Sequence, residues 1–491
     1  MAPIRLSLDT LESLPAAVAR PGYERSDLSA GIVHFGVGNF HRAHQAEYLD
    51  RLFSSGESRD WALIGAGVFE GERKGRDVLA EQDWLTTLVE QEADRSEARV
   101  LGSMIDYVEP ANAEAIIACL ACADIRIVSL TITEGGYFLD SQDRFDPGHP
   151  AILADAEMPD GPKTVFGMIL AGLRARRSAG LDPFTVMSCD NIPHNGVVTR
   201  NALTGLAALS DPGFAAWIGE NVAFPNGMVD RITPATTDRE REILRNDFGV
   251  EDSWPVFCEG FTQWVLEDNF PLGRPAFEKV GVQFVEDVSP FELMKLRVLN
   301  GGHATIAYPA GLLGIHYVHE AMEHPVIRAF LRKLTETEVI PTVPPVPDTD
   351  VRAYFDLIES RFSNPKIGDT VRRLCLDGSN RQPKFIVPVL RDALASGGSV
   401  EGLALESALW CRYCAGEDEA GAIIAPNDPN WDALVPVARA ARECPEVWLT
   451  QENIYGAVGR DPTFIAAFGR WLGMLWSEGT VATLESYLAE S

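Results

Sequence analysis

Apolar and polar positions follow two rhythms in this chain, and the rhythm changes near residue 289. Before that point, short runs dense in β-branched residues are separated by stretches with helical spacing. "AGIVHFGVG" (30–38) reads as a strand ending in a glycine turn, and "FHRAHQAEYLDRLFSSG" (40–56) as the helix after it. "WALIGAGV" (61–68), "IRIVSLTIT" (125–133) and "FTVMSCD" (184–190) are further buried-strand candidates. Strands alternating with helices predict βαβ units and a mostly parallel sheet. Beyond 289 long helical patterns dominate, over 319–338, 349–362, 383–396, 401–415, 431–443 and 461–490. The stretch "SPFELMKLRVLNGGHATIAY" opens this part, with Ser289 a candidate N-cap ahead of Pro290. The pattern predicts an α/β nucleotide-type domain over residues 1–286, then an all-α domain over 287–491. Ligand clefts tend to lie where two such domains join.

The junction stretch breaks its own apolar pattern. At about 100° per residue, Glu292, Lys295, Asn300 and His303 fall within an arc of roughly 140°, shared with Leu296 and Leu299. The arc is either a wet surface stripe or one wall of an active site. A desolvated lysine loses proton affinity and becomes a usable general base. An amide such as Asn300, or Asn191 from the first domain, can donate to a developing oxyanion.

A second motif is "HFGVGNFHRAH" (34–44). Gly36 and Gly38 offer the tight turn and close backbone approach that a pyrophosphate needs at a strand–turn–helix corner. His41 stands where a third glycine is usual, so the fingerprint is incomplete and a plain glycine turn remains the competing reading. Phe40 and Arg42 offer a packing wall and a phosphate donor. After the next strand, Glu70 is placed to accept from a ribose 2′-hydroxyl and to repel a 2′-phosphate, which favours NAD over NADP; Arg73, Lys74 and Arg76 just beyond pull the other way. The strand-end stretches "TITEGGYF" (131–138), "SCDNIPHNG" (188–196) and "FPNGMVDRITP" (224–234) supply Glu134, Asp190, Asn191, Asn195, Asn226, Asp230 and Arg231. Each alone is an ordinary turn former. Together they sit where open α/β sheets hold ligands.

Charge and cysteine content narrow the classes. With 42 basic and 71 acidic residues among 491, the net charge of −29 disfavours nucleic acid and anionic membrane as partners. No apolar run reaches the ~18 residues of a membrane span. "MAPIRLSLDTLESLP" lacks the basic-then-apolar layout of a secretory signal, so a cytoplasmic location is expected. Two Cys-x-x-Cys pairs, Cys119/Cys122 and Cys411/Cys414, lie in apolar helical runs and read as core rather than zinc ligands.

"GVGNFHRAH", "TITEGGYF", "SCDNIPHNG", "FPNGMVDRITP", "CEGFTQWVLEDNF" and "KLRVLNGGHATIAYPAGLLG" occur together and in this order. The set closely resembles the polyol-specific long-chain dehydrogenases, the mannitol dehydrogenase family, over nearly the whole chain. The resemblance implies a Rossmann-type N-terminal domain, a helical C-terminal domain and an active site between them. It also implies metal-independent, NAD-dependent interconversion of D-mannitol and D-fructose, often with activity on D-arabinitol or D-sorbitol. By position, Lys295 resembles the general base, and Asn191 and Asn300 the pair holding the reacting oxygen. His303 and Asp230 resemble substrate-hydroxyl partners, and Glu292 part of a proton path. "RRLCLDGSNRQPKF" (372–385) resembles a segment that reaches substrate, with Arg373 and Arg381 the candidates; many relatives are expected to carry lysine at 381. No metal site is expected, and the assembly is a monomer or small homo-oligomer. Three rivals stand beside this reading. One is a hexuronate reductase on the same scaffold, and another an NAD- or sugar-sensing binding protein, which would need no base. The third is a zinc alcohol dehydrogenase, which depends on the Cys pairs being ligands.

Overall fold

The computed structural model describes residues 2–140 and 142–490. It divides into two compact units, Met1–Ser289 and Pro290–Ser491.

The N-terminal unit is organised by five strands: β1 (Ala30–Phe35), β2 (Ala62–Ala66), β3 (Met104–Tyr107), β4 (Ile127–Leu130) and β5 (Thr185–Ser188). They run parallel in the order β3-β2-β1-β4-β5. Alternate residues face opposite sides of a strand. Val33, Phe35, Val128 and Leu130 therefore enter one core, with Ile116 and Leu120 of the helix Ala113–Ala121 and Ile169 and Leu173 of Val165–Ser178. Ile32, Leu63 and Ile127 enter the other, with Leu49, Leu52 and Phe53 of the helix Gln45–Ser54. Burial on both faces is why these strands read as unbroken apolar runs. The order reverses between β1 and β4, and the crevice beyond their C-terminal ends is where such sheets bind ligands.

Several elements differ from the sequence reading. The expected helix 40–56 is two helices, Asn39–Ala43 and Gln45–Ser54, broken at His44 with φ −124° and ψ −92°. β3 joins the four expected strands. Gly227–Asp230, read as loop, is a strand paired antiparallel with Gln263–Glu267, which also pairs with Gln283–Val285. A further sheet has the order Val256–Glu259, Thr86–Gln91, Ser96–Leu101, Val18–Ala19. Ser289 lies inside the helix Ser289–Met294, and Asp287 does the capping: its Oδ1 accepts from the Ser289 amide at 2.9 Å and hydroxyl at 2.6 Å.

The C-terminal unit is helical. Its central helix, Glu401–Cys414, is buried from Gly402 onward, and it packs against Pro462–Ser477 and Gly301–Leu312. Cys411 and Cys414 lie within this buried helix, where burial raises both thiols well above their usual range. Among the described residues, no group of three or more His, Cys, Asp or Glu side chains is placed to hold a metal. Nor is any described helix long and apolar enough to cross a membrane.

Candidate active site

In the N-terminal unit, the loop after β1 is shaped by one obligatory glycine. Gly36 has φ +91°, and a Cβ there would lie 2.0 Å from the Thr131 carbonyl oxygen at the end of β4. Gly38 is different. Its backbone is extended at φ −115°, and a Cβ would meet nothing nearer than 3.7 Å. The fold does not require glycine at 38, and the missing side chain leaves that backbone open to the close approach a pyrophosphate needs; the loop fits a dinucleotide on this ground.

The side chains of the same loop turn inward. His41, in the third-glycine position, is fully buried and stacks on His34 with ring centroids 3.5 Å apart. His34 bonds Ser129 Oγ at 2.8 Å and Thr131 Oγ1 at 2.9 Å, tying β1 to β4, and burial holds it down at about 3. Arg42 corrects an expectation. It is 1% exposed, lies over the Trp254 ring, and donates to the carbonyls of Trp254 and Gly38 and to Asn39 Oδ1. Its guanidinium braces the loop rather than serving as an outward phosphate donor. Phe40 stacks on His44 at 4.9 Å.

Beyond β2 the acidic residues divide their work. Glu70 Oε2 accepts from Arg73 Nε at 3.1 Å and Nη2 at 3.0 Å, so its charge is answered locally. Glu72 turns back, accepting from the amides of Phe69, at 2.8 Å, and Val68; burial raises its carboxyl. An acceptor of the chain's own therefore occupies these two loop amides.

Two loops at the ends of β4 and β5 are stitched together. Asp190 accepts from the amides of Ile132 at 2.9 Å and Thr133 at 2.8 Å and from the Tyr137 hydroxyl at 2.7 Å. Burial raises its carboxyl, and neighbouring Glu134, itself exposed, adds to that. Asn195 donates to Gly227 O at 2.8 Å and accepts from the Gly227 amide at 2.9 Å. That clamp locks the loop bearing Asn191 to the strand Gly227–Asp230, whose last residue is the buried Asp230. The next residue, Arg231, is anchored through Glu90 and the carbonyls of Ala43 and Glu259.

In the C-terminal unit, the four junction residues share one continuous helix, but its geometry is not uniform. Residues Lys295–Asn300 form a π-helix between the α-helices Ser289–Met294 and Gly301–Leu312, and the Gly301 amide bonds Leu296 O five residues back. On an α-helix Lys295 and Asn300 are the two ends of the ~140° arc. Hydrogen bonds that span five residues widen the turn, so positions 295 and 300 lie closer together around the axis than on an α-helix. Lys295 and Glu292 are buried, each 7% exposed.

His303 stacks on Phe362 at 4.1 Å, and its Nε2 has no hydrogen-bond partner. Desolvation first, then the charges of Arg373, Arg361 and Arg381, hold this imidazole well below its usual range, so it is neutral. The structure thus brings both expected arginines to His303 and adds Arg361. Arg361 sits at i+3 from Ile358 beside Phe362, a cation on the apolar face of its helix, and that was the signal available. Arg373 is gripped bidentately by Asp369, whose hydrogen bonds raise it. Arg381 Nη1 donates to Leu374 O at 3.0 Å.

A sheet of this order, with a glycine turn past its first strand, is the frame of the dinucleotide-dependent oxidoreductases. The comparisons are narrower. Residues 30–279 match the mannitol dehydrogenase Rossmann domain, and residues 287–476 the mannitol dehydrogenase C-terminal domain. Mannitol 2-dehydrogenase of Cereibacter sphaeroides is 57% identical over 475 residues, covering 96% of this chain and 99% of that protein. The structure of Pseudomonas fluorescens mannitol 2-dehydrogenase in ternary complex with NAD and D-mannitol matches with TM-score 0.88 at 45% identity, covering 99% and 100% of the two chains. A substrate-free D-sorbitol dehydrogenase matches with TM-score 0.91 at 37% identity, covering 98% and 100%. The chain belongs to the mannitol dehydrogenase family.

Proposed function

We propose that this NAD-dependent polyol dehydrogenase oxidises D-mannitol to D-fructose and catalyses the reverse reduction, with D-arabinitol and D-sorbitol as further substrates. The observation that supports the reading is the π-helical turn over Lys295–Asn300, with the lysine buried, since hydrogen bonds spanning five residues narrow the angle between positions five apart. In this reading Lys295 takes the proton from the reacting secondary hydroxyl. Asn300 and Asn191 hold the oxygen as it becomes an alkoxide and then a carbonyl. His303, neutral and with an open Nε2, and Asp230 bind substrate hydroxyls, and Glu292 passes the lysine's proton to solvent. Arg373 and Arg381 recognise the distal end of the polyol. NAD, when bound, supplies the hydride acceptor. Gly36 and Gly38 receive its pyrophosphate, Phe40 and Glu134 border it, and Glu70 and Glu72 face the ribose. Residues 1–286 are the cofactor-binding domain and 287–491 the substrate-binding domain. The enzyme works in the cytoplasm as a monomer or small homo-oligomer, without nucleic acid or membrane partners.

The arginines about His303 favour one second reading, a hexuronate reductase whose substrate carries a carboxylate. Asp369 already occupies the fork of Arg373, which weighs for the neutral polyol. A substrate panel decides: polyols with NAD, and ketoses and keto-acids with NADH. Fructose reduced more efficiently than fructuronate or tagaturonate is the expected outcome, and the reverse ranking overturns it.

A further inference from the structure

The central helix Glu401–Cys414 carries one fully buried carboxyl, and the proposed chemistry does not use it. Glu406 is 0% exposed, and no lysine or arginine pairs with it among the described residues. Its Oε1 accepts from Gln382 Nε2 at 2.6 Å. Its Oε2 has no hydrogen-bond partner, and neither has Oε1 of the same glutamine. Two planar groups are thus joined by one bond, and each keeps an unanswered, buried acceptor. Leaving such acceptors unpaired is costly. A single proton on the carboxyl turns the two leftover acceptors into a donor and an acceptor.

Gln382 belongs to the helix Gly378–Phe385, and its position there gives the pair a task. Gly378, one turn earlier on the same side, is seated so tightly that a Cβ would lie 2.5 Å from Trp410 Nε1 and 2.9 Å from the Tyr308 hydroxyl. Contact at Gly378 fixes how close this helix comes to the central one. The bond at Gln382 fixes how it is turned. Arg381 is the adjoining residue, about 100° around the axis.

We propose that Glu406 is a positioning residue: as the uncharged acid it closes a two-bond ring with the Gln382 carboxamide, and that ring sets the rotation of the helix bearing Arg381. The inference rests on the substrate role given above to Arg381. Burial pushes the Glu406 carboxyl up to about 8, the Gln382 bond opposing it only in part. The titratable groups facing it from packed neighbours are the phenols of Tyr308 and Tyr455, both held far above their usual range by burial. The folded value lies above the ordinary 4.5, so the stability contributed is fully present below 4.5 and lost as pH rises through about 8.

The test uses the full-length enzyme with saturating NAD, measuring KM for mannitol from well below to well above that pH. Glu406→Gln is the informative variant, because two carboxamides form the same ring and neither ionises. The ratio of wild-type to Glu406→Gln KM should be near one at low pH and rise about five- to tenfold at high pH, the scale of one lost hydrogen bond. Titration of the base is common to both proteins and cancels in the ratio. Wild-type Tm should fall relative to the variant over the same range, while NADH affinity, read by fluorescence titration, stays equal. Gln382→Met, which cannot form the ring, should show raised KM at low pH and no alkaline rise. A flat ratio, or a wild-type KM profile in Gln382→Met, overturns the inference. Arg381→Ala separates it from the reading beneath. Unchanged KM in Arg381→Ala removes Arg381 from the site and the positioning role with it. Raised KM there beside a flat ratio overturns the positioning role alone.

Discussion

The glycine loop of the N-terminal unit and the lysine helix of the C-terminal unit reach function by opposite means. In the proposed reading the loop's backbone serves the ligand and its side chains serve the backbone: His41 and Arg42 turn inward to brace the turn that carries Gly38. In the helix the same reading gives the ligand to the side chains, and the backbone gives way, widening to a π-turn over Lys295–Asn300. The difference teaches where substitution is tolerated. A loop that works through its amides can exchange a customary glycine for a histidine, provided the replacement packs behind the turn. A helix that works through an amine and an amide has no such latitude in residue type, only in the winding that presents them.

The largest test of this contrast is at the lysine. Lys295→Ala should lose on the order of 10²–10⁴ in kcat/KM, the usual scale for general acid–base catalysis, with NADH binding retained. In the wild type, polyol oxidation should rise with pH as the base loses its proton, and ketose reduction should fall. Near-normal turnover with the same pH dependence in the variant would move the base elsewhere, with His303 next in line. The loop is tested by two substitutions that look alike in sequence. Gly38→Ala should leave Tm unchanged and weaken NADH binding about tenfold or more, the scale of one overpacked methyl. Gly36→Ala should lower stability by at least roughly 1–2 kcal/mol from the left-handed backbone alone, with a drop in Tm. Equal behaviour of the two would mean that Gly38 is only a turn residue. A smaller effect is expected on cofactor choice. Glu72→Lys should shift the NAD/NADP ratio of kcat/KM toward NADP by about tenfold, since like charges facing across a site cost several kcal/mol. Glu70→Lys should shift it less, because Arg73 already answers Glu70. The opposite ranking would return the ribose to Glu70. The smallest effect is none at all: prolonged dialysis against a strong chelator should leave the rate intact, and loss reversed only by zinc would break the lysine reading.

What was legible in the sequence depended on how each element is buried. β1, β2, β4 and β5 were visible because a sheet covered on both faces writes continuous apolar runs. β3 was not, being interrupted by the exposed Asp106, where β4 and β5 are buried at every position. The strand Gly227–Asp230 was hidden by its opening glycine and by prolines at 225 and 234, and its identity comes from pairing with Gln263–Glu267, a partner more than thirty residues away. The break at His44 follows from tertiary bonds, its ring reaching Gln263 O at 3.0 Å, and no local propensity announces it. In the candidate site, Lys295, Asn300 and His303 stood out as polar residues on an apolar pattern. Arg42 stood out for the wrong reason: a cation after a glycine turn suggests phosphate, yet its acceptors are carbonyls supplied by the fold. Arg361 went unread because helix surfaces are rich in arginine, and only its place beside Ile358 and Phe362 set it apart.

The π-turn also limits how this arrangement can be transplanted. Copying the spacing Lys-x-x-x-x-Asn into a regular helix of another scaffold would leave the two side chains about 140° apart around the axis, at opposite edges of one wall. A designer working with ideal helices would have to shorten the interval by one residue, or graft the hydrogen-bond slip at Gly301 along with the side chains. The portable unit is therefore a backbone defect together with its residues, and a catalogue of spacings drawn from straight helices would pass over it.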